Sequence, residues 1–292
     1  MSQSKLALPG LALLLCIMAG GGHSAFAQSA ARPAPTPAAV PACAPAQIQA
    51  RATEVGVDAT IPNDPAVDKM VAVYSPKVRA LDLVIGKLKG DLRKGGTGAG
   101  SLGNFVTDGM RAEASRKLGQ PILLAVTNGG GLRKNVIAEG DLRLRDVFEL
   151  LPFENALVAF DLTGSQVSDL LRIVVSRRDA QSGARIKYRV GADNRPELET
   201  ARFLIDGAEK EIDPAAVYTV ISIDYLLKVA GGDYAVVLKE AKNIRPLGLT
   251  IRDAITDYVK AESAAGREIT SAVDDRFFLN KEASVATEEP PK

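Results

Sequence analysis

The sequence contains no tryptophan, two cysteines, one histidine and only 5% aromatic residues. The shortage of histidine excludes the most. His23 lies close behind the apolar stretch Leu6–Ala19. If that region is a cleaved signal, the mature chain has no imidazole. Ser–His and Cys–His nucleophilic pairs, histidine acid–base catalysis and imidazole-built metal sites then drop out. Carboxylate-only sites stay open, and they favour hard ions such as Mg²⁺ or Ca²⁺. Cys16 would leave with the same segment, so Cys43 would stand alone and no intramolecular disulfide would form. Charge of one sign is also lacking, with 36 Lys plus Arg against 35 Asp plus Glu. Loss of Lys5 brings the balance to zero, which gives no electrostatic footprint for nucleic acid or an anionic membrane. With 46% hydrophobic and 24% charged residues over 292 positions, disordered, collagen-like and disulfide-knot classes are excluded.

The first 27 residues carry the pattern of a secretory signal: Lys5, then the apolar run, then glycines at 20–22 and Ala25-Phe26-Ala27. Cleavage is expected after Ala27, with a periplasmic or secreted product. The run is shorter than the ~18–20 apolar residues needed to span a bilayer, and Pro9 and Gly10 interrupt it, so no membrane span is expected. Leu13-Leu14-Leu15 before Cys16 does not suit a lipoprotein site. Residues 28–61 form an Ala/Pro-rich tether, either a solvated spacer or a proline-rich ligand. One continuous block covers 62–280, and 281–292 is a polar, Pro-terminated tail.

Both structural periods run through the block. Asp64-Pro65 opens a helix with Val67, Met70, Val71 and Tyr74 on one face, and Val78–Leu88 alternates as a strand. Ser101 is placed as the cap of a helix with Leu102, Phe105, Val106, Met110, Ala114 and Leu118 as its stripe, ended by Gly119. Residues 122–126 form a continuous apolar run that predicts a strand buried on both faces. A short helix is expected over 146–151, a strand over 156–162, and an amphipathic helix from Ser165 through Val175. Strands are expected over 186–190, 203–205 and 218–223, and a last helix over 249–259. Helices and strands alternate irregularly, so the fold class is α/β (α+β) with mixed sheets layered with helices.

Three turn-forming clusters could carry chemistry. Lys94–Asn104 (KGGTGAGSLGN) leads into a helix and can either offer backbone N–H groups to phosphate or serve as a flexible loop. It lacks the phosphate-loop order with Lys-Ser/Thr. Thr127–Arg133 (TNGGGLR) follows the buried strand. Its glycines let a ligand approach the backbone, Asn128 offers a donor and an acceptor, and Arg133 is a planar fork for phosphate. Ala230–Tyr234 (AGGDY) places Asp233 after two glycines, either to hold vicinal hydroxyls or to close an Asx turn. Between the last two stands LPFEN (151–155), where Phe153 is either a stacking wall for a planar base or a core plug.

The order of these motifs is more specific than any one of them. LGNFVTDGMR (102–111), TNGGGLR (127–133), the 140–155 stretch ending LLPFEN, DLTGSQVSDLL (161–171), VYTVISIDYL (217–226) and AGGD (230–233) resemble the C-terminal, substrate-binding domain of the 5′-nucleotidase/UDP-sugar hydrolase family. The resemblance covers about 62–280 and implies that domain's mixed α/β fold. It implies that Asn128 contacts the base, that Gly130 and Gly131 belong to the same substrate-binding loop, that Arg133 contacts the phosphate, that Phe153 in its Pro-Phe-x-Asn setting with Asn155 forms one stacking wall, and that Asp233 binds ribose hydroxyls. This chain departs from the pattern at three places. Leu227 occupies the position of the second stacking aromatic, for which Tyr225 is the nearest substitute. Gly96 stands where a phosphate-binding arginine is expected, with Arg93 nearby. Tyr234 replaces the glycine after Asp233.

The resemblance also implies a missing half. In that family hydrolysis belongs to an N-terminal metallophosphatase domain with two metals held by Asp, His and Asn, and a further Asp–His pair. There is no room for such a domain before residue 62. The expectation is a nucleotide- or nucleoside-recognition domain without catalytic residues or cofactors of its own, with divalent metals only in a partner metallophosphatase chain acting in trans. The alternatives are a stand-alone nucleotide-binding module and a structural domain with a decayed pocket.

Overall fold

A computed structural model describes residues 51–54, 56–228, 232–270 and 272–284. The expected signal, Cys43, Ala230, Gly231 and residues 285–292 lie outside them. Contacts within the chain separate Met1–Ile61 from Pro62–Lys292. In the first unit, Asp58 accepts the backbone N–H of Thr60 at 2.9 Å and closes a turn.

In the second unit the elements run in chain order as follows. Helix α1 (Pro65–Ala80) precedes strands β1 (Val84–Lys89) and β2 (Leu92–Arg93), then helix α2 (Gly100–Leu118) and strand β3 (Leu124–Thr127). Short strands β4 (Val136–Ile137) and β5 (Gly140–Arg143) lead to helix α3 (Leu144–Leu150), strand β6 (Ala156–Thr163) and helix α4 (Gly164–Ser176). Next come β7 (Ala180–Ser182), β8 (Ala184–Val190), β9 (Pro196–Ile205), β10 (Ala208–Glu211) and β11 (Val217–Ile223). The chain finishes with α5 (Asp224–Lys228), α6 (Ala235–Leu238), β12 (Lys242–Thr250), α7 (Ile251–Ala264), β13 (Ile269–Thr270) and β14 (Phe277–Leu279).

Three strands with buried runs pair side by side. Strand β6 lies antiparallel to β11 with Ala159 opposite Ile221, and β11 lies parallel to β3 with Ala125 opposite Ile221. They form the middle of a five-stranded mixed sheet in the order β12-β6-β11-β3-β7. All four residues of β3 are buried, as expected for a strand covered on both faces. Helix α4 covers this sheet with Val167, Leu170, Leu171, Val174 and Val175, all buried. Its N-terminus carries a capping box between Thr163 and Gln166, which satisfies two backbone donors reciprocally. Helix α2 buries Leu102, Phe105, Val106, Met110 and Ala114 in the same core. A four-stranded sheet (β10-β9-β8-β14), a three-stranded sheet (β13-β1-β5) and the β2-β4 pair complete the unit. The fold is mixed α/β, as the sequence predicts. Among the described residues no helix is long and apolar enough to cross a membrane.

Two sequence expectations are corrected. The strand predicted over 78–88 begins only at Val84, because Asp64 caps α1 through Ala66 N and Val67 N and the helix continues to Ala80. Ser101 does not cap α2. The cap position is Ala99, in the left-handed region at φ 58° with no side-chain hydrogen bond, and Ser101 Oγ instead accepts Arg93 N at 2.8 Å. Strand β12 and most of β9 have no signal in the sequence reading, since β12 alternates weakly and carries Pro246, and β9 buries only Pro196 and Phe203.

Candidate functional site

Strand β3 ends at Thr127, and the chain then turns through a 3-10 turn at Gly129–Gly131. Gly131 N donates to Asn128 O at 3.1 Å and Leu132 N to Gly129 O at 3.2 Å. The turn is held from three sides. Arg133 N donates to Leu150 O at the end of α3 at 2.8 Å, and Lys94 Nζ donates to Leu132 O at 2.8 Å. Gly129 N donates to the buried carboxylate of Asp179 at 2.7 Å. Strand pairing explains the last contact. Thr127 of β3 lies opposite Ala180 of β7, so the residue before Ala180 falls beside the residues after Thr127.

A cavity of about 370 Å³ opens against this turn, lined by Asn128, Gly130, Gly131, Arg133, Phe153, Asn155 and Tyr225. Seven of the nine residues singled out from the sequence therefore line one recess. Phe153 and Tyr225 are each 48% exposed; a phenylalanine plugging the core would be covered, so the plug alternative is set aside for Phe153. The Arg133 guanidinium carbon stands 5.9 Å from the Phe153 ring centroid, within reach of a cation–π attraction. Asn155 O accepts Ile251 N at 2.9 Å, which fixes that wall to the start of α7. Asp224, next to Tyr225, accepts Ala156 N at 2.9 Å and Lys228 Nζ at 2.6 Å and so fixes the one-turn helix that carries Tyr225. Asn128 Oδ1 is buried without a hydrogen-bond partner. Buried polar atoms are nearly always paired, and an unpaired one costs about 1–3 kcal/mol.

The other two residues lie elsewhere. Leu227 packs partly buried against the hydrophobic core. Asp233 lines a different cavity, of about 610 Å³, with Gln166, Arg172, Ile173, Val237 and Glu240, and its carboxylate accepts Arg177 NH1 at 3.0 Å. The Lys94–Asn104 cluster works as a brace: Gly98 N donates to Arg178 O at 3.2 Å, and Ala99 packs next to Gly129. Arg93 is exposed and paired with Asp91 at 2.5 Å.

Sequence reasoning missed the group that joins these pieces. Asp179 is 4% exposed. Besides Gly129 N it accepts the Tyr234 hydroxyl at 2.8 Å and Arg177 Nε at 3.2 Å. Burial pushes the Asp179 carboxyl above its ordinary range, against the hydrogen bonds from Gly129, Tyr234 and Arg177. Burial, and then the Asp179 charge, hold the Tyr234 phenol well above its usual value. Tyr234, which breaks the family pattern, is thus a buried donor to the carboxylate that anchors the glycine turn. The one sequence signal was the Arg177-Arg178-Asp179 run after an amphipathic helix, a pattern that reads equally well as a solvated helix end.

Residues 84–240 match the family model described as 5′-nucleotidase, C-terminal domain. The chain is 30% identical over 233 residues to the trifunctional nucleotide phosphoesterase protein YfkN of Bacillus subtilis, covering 77% of this chain and 15% of that protein. A 5′-nucleotidase of Vibrio cholerae is 27% identical over 139 residues, 48% of this chain and 24% of that protein. The solved structure of a 5′-nucleotidase precursor from Thermus thermophilus superposes with a TM-score of 0.61 at 26% identity, over 77% of this chain and 43% of that one. The chain therefore spans less than half the length of each of these relatives.

Proposed function

The chain belongs to the 5′-nucleotidase C-terminal domain family, and from that premise we propose that it recognises nucleotides or nucleosides and takes part in phosphate-ester hydrolysis with a metallophosphatase supplied by another chain. The observation that carries the reading is the recess between Phe153 and Tyr225, with the unpaired Asn128 Oδ1 in its wall. A planar base between two exposed rings gains stacking of about 1–3 kcal/mol. Asn128 Oδ1 accepts a donor from the base edge, and Arg133 meets the phosphate as a fork. These groups bind and orient the substrate, which lowers a barrier by fixing its geometry relative to the reacting centre.

Hydrolysis in this reading is the partner's task. Among the described residues no three His, Cys, Asp or Glu side chains gather as metal ligands do. Divalent metals belong to the partner in this proposal. Export after cleavage at Ala27 places the mature chain in the periplasm or outside the cell, and the mass of the mature N-terminus checks it.

Calorimetric titration of the mature chain with adenosine, AMP and UDP-glucose tests recognition. Micromolar binding that Phe153→Ala abolishes supports it, and no binding to any of the three removes it. Phosphate release from AMP with Mn²⁺ or Zn²⁺ tests the division of labour: none from the chain alone, and turnover by the chain alone sinks the split arrangement. A stand-alone binding module is favoured instead if binding is intact and no metallophosphatase is stimulated, since all seven lining residues come from this chain.

A further inference from the structure

Helix α1 is sixteen residues long and none of its residues is buried. It nevertheless has an apolar stripe. Val67, Met70, Val71, Tyr74 and Val78 follow the i, i+3, i+4, i+7 spacing of a helix face meant to be covered, and each is more than half exposed. A lone helix of this length, about 24 Å, is marginal in water. Asp64 at its N-cap and Pro65 at its first position define its start, but they do not cover its face.

We propose that this face pairs with the same helix of a second copy of the chain, antiparallel, around a two-fold axis near the helix centre. The stripe is self-complementary in that direction. With the axis between Ala72 and Val73, Val67 of one copy falls opposite Val78 of the other, and Val71 opposite Tyr74. The charges agree. Asp68 lies in the first turn and Arg79 in the last, and at 100° per residue they fall on the same flank of the stripe. A two-fold mate brings Asp68 of each copy beside Arg79 of the other at both ends of the contact. A parallel mate leaves Asp68 of one copy and Arg79 of the other at opposite ends of the contact, so neither ion pair forms. Pro76 falls on the far side, where its missing N–H and its ring do not disturb the seam. Antiparallel alignment also opposes the two helix dipoles favourably. One helix pair is a small interface, so the dimer is expected to dissociate in the micromolar range.

Sedimentation velocity on the mature chain across a concentration series tests this. The expected result is a shift from one to two chains with rising concentration. Val71→Glu and Tyr74→Glu should give one chain throughout while keeping the thermal midpoint of the dissociated parent, because neither side chain packs into the core. Asp68→Arg should weaken the dimer about threefold or more, and adding Arg79→Asp should restore it. A single-chain mass at every concentration overturns the proposal. A dimer indifferent to Val71→Glu, or an Asp68→Arg defect that the charge swap does not repair, overturns it as well.

Discussion

Gly129 donates its backbone N–H to Asp179 Oδ1 at 2.7 Å, across fifty residues of chain. That single bond ties the glycine turn of the recess to the carboxylate that also receives Tyr234 and Arg177. Through Arg177 the same network reaches Asp233. The turn and the Asp233 segment are therefore parts of one hydrogen-bonded assembly, although the two line different cavities.

Asp179→Asn should reveal the raised carboxyl through pH. Burial holds the folded-state value above the unfolded one. Between those values the folded chain keeps a proton that the unfolded chain has lost, so this group's contribution is full at acidic pH and falls as pH rises through the folded value. The variant lacks that dependence. Its deficit in unfolding free energy relative to the parent should be larger near pH 4 than at pH 7. Denaturant titrations at both pH values check this, and a deficit that grows with pH contradicts it.

Tyr234→Phe removes one donor from a buried carboxylate while keeping the ring over which Arg177 sits at 5.7 Å. The expected cost is about 1–3 kcal/mol of stability. A loss of nucleotide affinity should accompany it, because the Asp179 anchor of Gly129 loosens. A variant as stable as the parent would mean that the Tyr234 hydroxyl contributes nothing there.

Asn128→Ala should behave oppositely. Its Oδ1 already lacks a partner, so truncation should cost less than about 1 kcal/mol. Nucleotide affinity should fall about tenfold or more, since the variant removes the acceptor proposed for the base edge. Thermal melts and calorimetry on the same preparation separate the two effects. A large stability loss with unchanged affinity would assign Asn128 a purely structural role.

Arg133→Ala should erase discrimination rather than binding. A charge-assisted contact to phosphate is worth about 1.5–3 kcal/mol, or roughly tenfold to a hundredfold in affinity. AMP should therefore weaken toward adenosine, while adenosine itself changes little. Equal losses for both ligands would argue that Arg133 acts only by supporting Phe153.

Gly164→Ala is a test of the fold alone. A Cβ there would overlap the Asp213 carbonyl oxygen and crowd Pro214, so the α4 start and the loop before β11 would have to separate. Overpacking of this kind costs about 1–3 kcal/mol. Ligand affinity per folded molecule should not change, because Gly164 does not line the recess.

Much of this molecule is local. Apolar periodicity placed α2, β3, β6, α4, β11 and α7 to within a few residues, because each buries a continuous face and its pattern is written in consecutive positions. Motif order identified the family, and seven of the nine residues named from the sequence line one cavity. Elements without such a face were not legible: β12 alternates weakly, and the α1 stripe extended past the point where alternation suggested a strand.

The histidine count belongs to the sequence alone: no histidine follows His23, which limits the chemistries open to the folded block before any geometry is known. Tertiary structure decided the rest. The pairing of β3 with β7 sets Asp179 beside Gly129, and the short α5 places Tyr225, not Leu227, in the recess. It also placed Tyr234, which departs from the family pattern, as a donor inside the core. Those outcomes depend on which buried strands become neighbours, and neighbours far apart in sequence leave no periodic trace in it.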